Sequence, residues 1–298
     1  IRRPVFICPT EFWWHSNCSQ IFTLFPYRDY ICIFLFLKIE AELKRLKPDW
    51  VLVQGDTTTV MVAALCAFYL SIPVGHVEAG LRSHDLQAPF PEELNRRVAG
   101  LVAGVHFAPT QGAADNLRKE GVAEDDIVVT GNTGIDALLR TAESVRADPP
   151  EMASDITEFL ARHPRFVLIT GHRRENFGEG FENICRAIST LARDHPEVGF
   201  LYPVHLNPRV RKPVFEIVKG HPNVLLTEPQ EYRRFIRLMD RAHLLLSDSG
   251  GVQEEAPSLG KPVLVMRDVT ERPEGIAAGC AELVGSSAER IRDRVTTL

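Results

Sequence analysis

Short apolar runs alternate with amphipathic stretches along most of this chain, and this alternation is its most constraining feature. From about residue 39 onward the apolar runs are bounded by Gly, Pro, Asp or Thr, as buried strands are. Apolar strands separated by helices are typical of parallel sheets that are covered on both faces. We therefore predict an α/β protein with Rossmann-like, doubly wound sheets.

The alternation continues to residue 298, which is long enough for two domains of ordinary size. A predicted helix near 133–147 runs into "RADPPEM", whose prolines and charges make it the best linker candidate. We predict two Rossmann-like lobes, 1–147 and 148–298, that face a central cleft and bind ligands beyond the carboxyl ends of their strands. Residues 1–38 are atypical, since "FWWHSNCSQIFTLFPYRDY" shows neither clean periodicity nor a tight turn, and we assign them no role.

Composition narrows the class of protein. The net charge of −5 gives no general attraction to nucleic acid, so we expect no nucleic-acid partner. The 6 cysteines are scattered without a CxxC pair or metal-ligand spacing, which favours a reducing cytoplasm and predicts no metal site. Because no apolar run approaches the roughly 18 residues of a membrane span and no signal peptide is present, we expect a soluble protein with no membrane partner.

Two acids follow neighbouring predicted strands. Asp56 comes after "VLVQG", where it could cap the next helix or take part in chemistry. Glu78 follows the next strand in "GHVEAGLRS" and has no adjacent helix to cap, which favours a functional role, although Arg82 could be a structural ion-pair partner.

A third candidate acid begins a predicted helix. Glu92 and Glu93 lie in the first turn of "PFPEELNRR", where acids also favour the helix dipole. Arg96 is four residues beyond Glu92 and could form an ordinary surface pair with it.

Anion-binding features follow strands of the second lobe. His172, Arg173 and Arg174 in "TGHRREN" suit an anionic ligand, the alternative being a solvated charge run. In "LLLSDSGGVQEEAPSLGKP", the turn over 249–251 lets the backbone approach a diphosphate at a helix start, with Glu255 placed to hold a ribose diol. Neither a Walker loop nor GxGxxG is present, so we expect no NAD.

Together these motifs closely resemble the non-hydrolysing UDP-N-acetylglucosamine 2-epimerase family. The resemblance runs in unbroken order from about residue 39 to 298. It rests on "QGDTTT", "GHVEAGLRS", "PFPEELNRR", "TGNTGIDAL", "TGHRREN", "YPVHLNP" and "SDSGGVQEEAPSLGKPVLVMRDVTERPE".

The resemblance implies a fold like that of the GT-B glycosyltransferases and the interconversion of UDP-N-acetylglucosamine and UDP-N-acetylmannosamine for cell-envelope polysaccharides. In that family UDP leaves by anti elimination, giving 2-acetamidoglucal, and adds back after a proton returns to the opposite face. The resemblance implies no cofactor, and it implies a homodimer.

It also implies roles for individual residues. Taking a weakly acidic C2 proton and returning one to the other face needs two proton carriers, for which Asp56, Glu78 and Glu92 are the candidates. His172 would stabilise the leaving diphosphate. The remaining implied contacts are Gln230 and Phe235 at the uracil, Ser249, Gly250 and Gly251 at the diphosphate, Glu255 at the ribose, Arg272 as an anion ligand, Arg96 holding Glu92, and His205 lining the cleft.

The chain departs from the family pattern at its ends. Residues 1–38 lack the Gly-Thr-Arg-Pro-Glu turn and the Thr-Gly-Gln-His segment, and the C-terminal helices that cross back are missing, so we expect an incomplete chain. The alternatives are a hydrolysing epimerase, which releases UDP and free N-acetylmannosamine, and an inactive UDP-sugar-binding fragment. The acid-rich first lobe argues against a glycosyltransferase.

Overall fold

The computed structural model describes residues 4–7 and 31–298, which form two compact units, 1–132 and 133–298. Each unit contains a parallel sheet with helices around it, so the predicted α/β class is confirmed. The sequence placed the boundary near 148, after the helix over Thr133–Ala147, whereas the units divide before that helix.

The segment over 148–150 is fixed to the second unit. Arg233 Nη2 donates to the carbonyl oxygen of Asp148 at 3.1 Å, and Arg237 Nη1 donates to that of Pro150. Arg146 adds two hydrogen bonds to Asp240, at 2.9 and 2.5 Å. The proline-rich stretch that resembled a linker is therefore held against a helix of the second unit.

The first unit has a sheet of five described strands in the order β1-β2-β3-β4-β5, all parallel. Its strands are β1 Pro4–Ile7, β2 Trp50–Gln54, β3 Val74–Val77, β4 Val105–Ala108 and β5 Ile127–Val129. Its helices are α1 Ile31–Leu46, α2 Thr58–Tyr69, α3 Glu92–Val102 and α4 Gln111–Lys119.

The atypical segment at 1–38 is partly regular. β1 lies at the sheet edge against β2, and α1 begins at Ile31, earlier than the residue near 39 from which the alternating sequence pattern is read. The apolar run "ICIFLFL" is the first part of that helix. Residues 8–30 lie outside the described part of the chain.

The second unit has a sheet of six described strands in the order β11-β10-β9-β6-β7-β8, again all parallel. The strands are β6 Phe166–Thr170, β7 Gly199–Pro203, β8 Val224–Thr227, β9 Leu244–Ser247, β10 Val263–Val265 and β11 Ala281–Leu283. The helices are α5 Thr133–Ala147, α6 Ser154–Arg162, α7 Glu179–Asp194, α8 Pro208–Pro213, α9 Tyr232–Arg241, α10 Val252–Ser258, α11 Pro273–Ala277 and α12 Ala288–Thr297.

Alternate residues of β6 enter two different cores. Val167 and Ile169 pack with α7, while Phe166 and Leu168 pack with α5, α6, α9 and α10. Each such apolar side chain contributes roughly 1.5–3 kcal/mol on burial, which fixes the strand register. The register of neighbouring strands also aligns their carboxyl ends. The last residue of β2, Gln54, pairs with Val77 of β3, and the last residue of β6, Thr170, pairs with Ser247 of β9. Among the residues described, no helix combines the length and apolar character needed to cross a membrane.

Candidate active site

The ends of the neighbouring strands β2 and β3 each lead into an acid in the first unit. Gly55 follows β2 in a left-handed conformation, φ 81°, and its N–H donates to Val77 O at 3.0 Å. A Cβ added to Gly55 would lie 3.4 Å from Glu78 Oε2, so the Glu78 carboxylate lies against the turn that leads into Asp56. Asp56 and Glu78 thus follow the neighbouring strands β2 and β3 at the same end of the sheet.

Glu78 has an unusual backbone conformation. Its φ of 64° lies in the left-handed region, which costs a non-glycine residue of order 1–3 kcal/mol. Such strain persists where surrounding structure imposes it and is concentrated at functional sites. Here it changes the direction of the side chain at the point where β3 ends.

Helix α3 fixes Asp56 from the opposite side. Arg96 Nη2 donates to the Asp56 carboxylate, and Asn95 Nδ2 donates to Asp56 O at 2.9 Å. The Arg96 Nη1 atom also lies 3.4 Å from Glu93 Oε2. The prediction that Arg96 pairs with Glu92 is therefore wrong, because the Arg96 guanidinium points at Asp56 and Glu93.

Glu92 is left with an acceptor that the protein does not use. Its Oε2 atom is buried without a hydrogen-bond partner in the described structure. Burying an unsatisfied carboxylate oxygen costs roughly 1–3 kcal/mol or more. A ligand hydroxyl or proton at this atom would remove that cost.

Glu93, the neighbour of Glu92, has a structural role that the sequence did not distinguish. Its side chain is fully buried and accepts from the backbone N–H groups of Ser83 and His84, at 3.1 and 3.3 Å. Arg96 and Arg97 pair with it locally, but the two backbone N–H groups that it accepts from lie nine and ten residues away, so no local sequence signal marked this role.

Arg82 pairs with Glu120, and not with Glu78 as the sequence allowed. It donates to both Glu120 oxygens, at 2.8 and 2.7 Å, and this contact holds the pKa of Glu120 below its ordinary value. The alternative in which Arg82 neutralises Glu78 is therefore not the arrangement observed.

In the second unit, Asp248 organises the strand ends of β6 and β9. Its fully buried carboxylate accepts from His172 N at 2.9 and 3.1 Å and from Arg173 N at 2.9 Å. Asn176 Nδ2 lies 3.4 Å from the same group. Asp248 thus fixes the "TGHRREN" turn, a role that the sequence analysis did not assign to it.

His172 projects from that turn. Its ring stacks on His205 with centroids 5.2 Å apart, and its Nδ1 lies 3.6 Å from Asp248 Oδ1. Burial lowers the pKa of His172 below its ordinary value, an effect that Asp248 partly opposes. The lowered pKa favours the neutral imidazole, which can donate one hydrogen bond to an anion.

The turn over 249–251 lies close to the Arg272 guanidinium at Gly250. A Cβ on Gly250 would lie 2.7 Å from Arg272 Nη1, whereas one on Gly251 would have no neighbour nearer than 4.0 Å. Ser249 N donates to Ser247 Oγ at 3.0 Å, which orients the turn. Gly250 is required here because only a hydrogen leaves room for the guanidinium.

Arg272 belongs to a chain of charged side chains. Its Nε donates to Glu254 at 3.0 Å, and its Nη1 donates to Glu271. Glu271 is 2% exposed and also accepts from the buried Arg267, at 3.0 Å. Glu255, the predicted ribose ligand, has its pKa raised by burial and by Glu254, with Arg272 opposing.

Gln230 and Phe235 lie between the end of β8 and the first turns of α9. Gln230 Nε2 donates to Glu228 O at 2.7 Å, and Phe235 packs against the core. Tyr232 of the same helix turn has its pKa raised by burial and by Glu255, which shows that this turn lies near the predicted ribose ligand. Within the described ranges no group of three His, Cys, Asp or Glu side chains could hold a metal ion.

Comparison with known proteins decides the family. The sequence model described as UDP-N-acetylglucosamine 2-epimerase matches residues 31–298. This chain belongs to the UDP-N-acetylglucosamine 2-epimerase family. The predicted resemblance is thereby confirmed.

Epimerases of this family from several bacteria are similar to the chain. It is 54% identical over 263 residues to the UDP-N-acetylglucosamine 2-epimerase of Yersinia pestis, covering 87% of this chain and 70% of that protein. It is 53% identical over 259 residues to that of Escherichia coli K12, covering 86% of this chain and 69% of that protein.

Solved structures of epimerases share the fold. The Neisseria meningitidis UDP-GlcNAc 2-epimerase bound to UDP-GlcNAc matches with a TM-score of 0.84 and 44% identity, over 94% of this chain and 79% of that one. The S. aureus MnaA-UDP structure matches with a TM-score of 0.85 and 38% identity, over 96% of this chain and 78% of that one. The fold is GT-B-like, as the resemblance implied.

Proposed function

We propose that this chain interconverts UDP-N-acetylglucosamine and UDP-N-acetylmannosamine by the non-hydrolysing route. Membership of the epimerase family supports this function. The observation that carries it is the placement of Asp56 and Glu78 after the ends of neighbouring strands, with the Glu78 carboxylate against the Gly55 turn and an unpartnered Oε2 on Glu92 of helix α3.

The carboxylates suit proton transfer at C2 of the sugar. One takes the C2 proton while the C1–O bond breaks and its electron pair leaves with UDP, which gives 2-acetamidoglucal. Another returns a proton to the opposite face of C2 as UDP adds back to C1. Because Arg96 holds Asp56, the two acids of the pair differ in environment, as acid and base must.

The second unit supplies groups for the nucleotide. Neutral His172 and cationic Arg272 suit the diphosphate, and the close approach of Gly250 to Arg272 supports a binding turn there. The carboxylate of Glu255 suits a ribose diol. The residues proposed to contact UDP are His172, His205, Gln230, Phe235, Ser249, Gly250, Gly251, Glu255 and Arg272.

Incubation with UDP-N-acetylglucosamine in deuterated water tests the reaction. We expect NMR to show deuterium at C2 of the recovered UDP-sugars and the appearance of UDP-N-acetylmannosamine. Asp56→Asn, Glu78→Gln and Glu92→Gln should each lower the exchange rate by at least about 100-fold. Glu124→Gln is the matched control, because Glu124 is an exposed carboxylate of the same unit that pairs with Arg118.

Product analysis separates this reaction from its alternatives. Release of UDP with free N-acetylmannosamine would identify a hydrolysing enzyme. Tight UDP binding without C2 exchange would contradict the proposal and indicate a nucleotide-sugar-binding protein.

We also propose a homodimer in the cytoplasm. The described cysteines Cys32, Cys66, Cys185 and Cys280 are free thiols, which supports a reducing compartment. On the first unit Leu101 is 86% exposed and Tyr69 is 72% exposed, which supports a protein contact there. Sedimentation at micromolar concentration should show twice the chain mass, and Leu101→Glu should shift it toward the monomer.

A further inference from the structure

His76 is a buried side chain that the proposed reaction does not use. It lies in β3, two residues before Glu78, and is 1% exposed. Its Nε2 is 2.8 Å from the carbonyl oxygen of Gly55. A polar ring buried among apolar strands costs free energy unless it forms such a bond.

The geometry fixes the protonation of the ring. A carbonyl oxygen only accepts, so Nε2 carries the proton and donates to Gly55 O. Nδ1 is buried without a hydrogen-bond partner, which leaves it unprotonated. Burial lowers the pKa of His76 to about 4, so the ring stays neutral over the working pH range.

The accepting carbonyl belongs to the peptide group that joins Gly55 to Asp56. At the other side of Gly55, its N–H donates to Val77 O at 3.0 Å. β3 therefore holds Gly55 through both its N–H and its C=O. Gly55 is in the left-handed conformation, φ 81°, and is intrinsically flexible, so these two bonds determine where the peptide plane points.

We propose that His76 is a positioning residue for C2 proton transfer: its Nε2–H···O=C bond to Gly55 fixes the peptide plane that leads into Asp56. The inference rests on the proposed epimerase function. A displacement of about 1 Å at a reacting group can lower a rate by about 100-fold, so a bond one peptide away from Asp56 is close enough to matter.

His106 provides a matched control. It is the register partner of His76 on β4, is 2% exposed and likewise has a buried Nδ1 without a partner. Its backbone hydrogen bond goes to Ala103, after α3, and not to the Gly55 turn. His106→Leu therefore removes the same kind of buried ring without removing the bond to Gly55.

The test compares His76→Leu, His76→Gln and His106→Leu in the full chain. We expect His76→Leu to lower kcat and C2 deuterium exchange by at least tenfold while KM and the Kd for UDP stay within twofold. His76→Gln, whose amide can donate to Gly55 O, should recover at least a third of the lost kcat. His106→Leu should keep kcat within twofold of the wild type, although its Tm falls about as far as that of His76→Leu.

Equal kcat in His76→Leu and His106→Leu, or no recovery in His76→Gln, would overturn the inference. Amide hydrogen exchange of the peptide over 54–60 provides a readout that does not depend on turnover. Exchange there should quicken in His76→Leu and stay unchanged in His106→Leu. Absence of C2 exchange in the wild type would refute the epimerase function alone, whereas unchanged protection of 54–60 in His76→Leu would refute the positioning role alone.

Discussion

The contact between Gly250 and Arg272 leaves no space for a methyl group. An added Cβ would lie 2.7 Å from Arg272 Nη1 and 3.0 Å from Glu271 Oε1. Arg272 cannot move freely, because Glu254 and Glu271 both bind it. At Gly251, one residue further on, the backbone is helical, φ −62°, and a Cβ would meet nothing nearer than 4.0 Å.

Gly250→Ala should therefore destabilise the fold, and Gly251→Ala should not. We expect Gly250→Ala to lower the free energy of unfolding by about 1–3 kcal/mol through overpacking. Gly251→Ala should leave it unchanged or raise it slightly, because alanine favours helical φ and ψ. Urea denaturation of both variants checks this. Equal stability of the two would show that the Arg272 guanidinium is not held against the turn.

Adjacent acids show how far the sequence could identify the site. Glu92 and Glu93 both begin α3, and the pattern treated them alike. Glu93 is buried with its oxygens bonded to Ser83 and His84, whereas Glu92 keeps an unpartnered oxygen. Asp56 and Glu78 could be proposed as candidates from their positions after neighbouring strands, and His172 from its position after a strand of the second unit. Asp248 and His76 could not, since their importance depends on backbone groups distant in the sequence.

The segment between β10 and α11 is held by a buried arginine. Arg267 has a fully buried side chain and donates to Glu175 at 2.7 Å and to Glu271 at 3.0 Å. Glu175 lies in the 3-10 turn that follows His172, and Glu271 holds Arg272. One side chain thus connects the two loops that carry the predicted diphosphate ligands.

Arg267→Met should lower the free energy of unfolding by about 2–3 kcal/mol, because it removes the cation from the partly exposed Glu175 and one of the two cations from the buried Glu271. Arg294→Met is the control, since Arg294 pairs with Glu282 at partly exposed positions and its loss should cost about 1 kcal/mol or less. Denaturant titration measures stability, and calorimetry should show weaker UDP binding for Arg267→Met alone. A similar cost for the two variants would refute the role of the buried ion pairs.

Helices and strands were predicted best where the hydrophobic periodicity of the sequence matches the pattern of buried residues in the structure. The helix Thr58–Tyr69 and the strand Trp50–Gln54 fall where the pattern placed them. The sequence pattern missed the start of helix α1, because the first turns of this helix are apolar on the exposed side as well. Ile33 is 57% exposed and Leu37 is 60% exposed. An apolar run without a polar face has no helical period to read. The predicted domain boundary near residue 148 differs from the boundary between the two units for another reason. Arg233 and Arg237 of α9 hold the proline-rich stretch over 148–150 in the second unit.

His76 and His106 are buried and His172 is partly exposed, and the lowered pKa values of these described histidines make stability depend on pH. Burial lowers the pKa of His76 to about 4 and lowers the pKa values of His106 and His172. In the unfolded chain each would titrate near 6.5. Below that pH the unfolded state binds protons that the folded state does not, so the free energy of unfolding falls as the pH falls toward about 4. Well above pH 6.5 these histidines are neutral in both states, so they no longer make the free energy of unfolding depend on pH.

Acid should therefore destabilise the first unit in a way that depends on His76. From its pKa alone, we expect the free energy of unfolding to drop by about 2 kcal/mol between pH 7.5 and pH 5. All 3 tryptophans precede residue 133, so urea titration followed by tryptophan fluorescence reports on this unit. His76→Leu should flatten the drop by that amount. An unaltered pH dependence in His76→Leu would mean that His76 has the same pKa in the folded and the unfolded chain, contrary to the lowering that its burial causes.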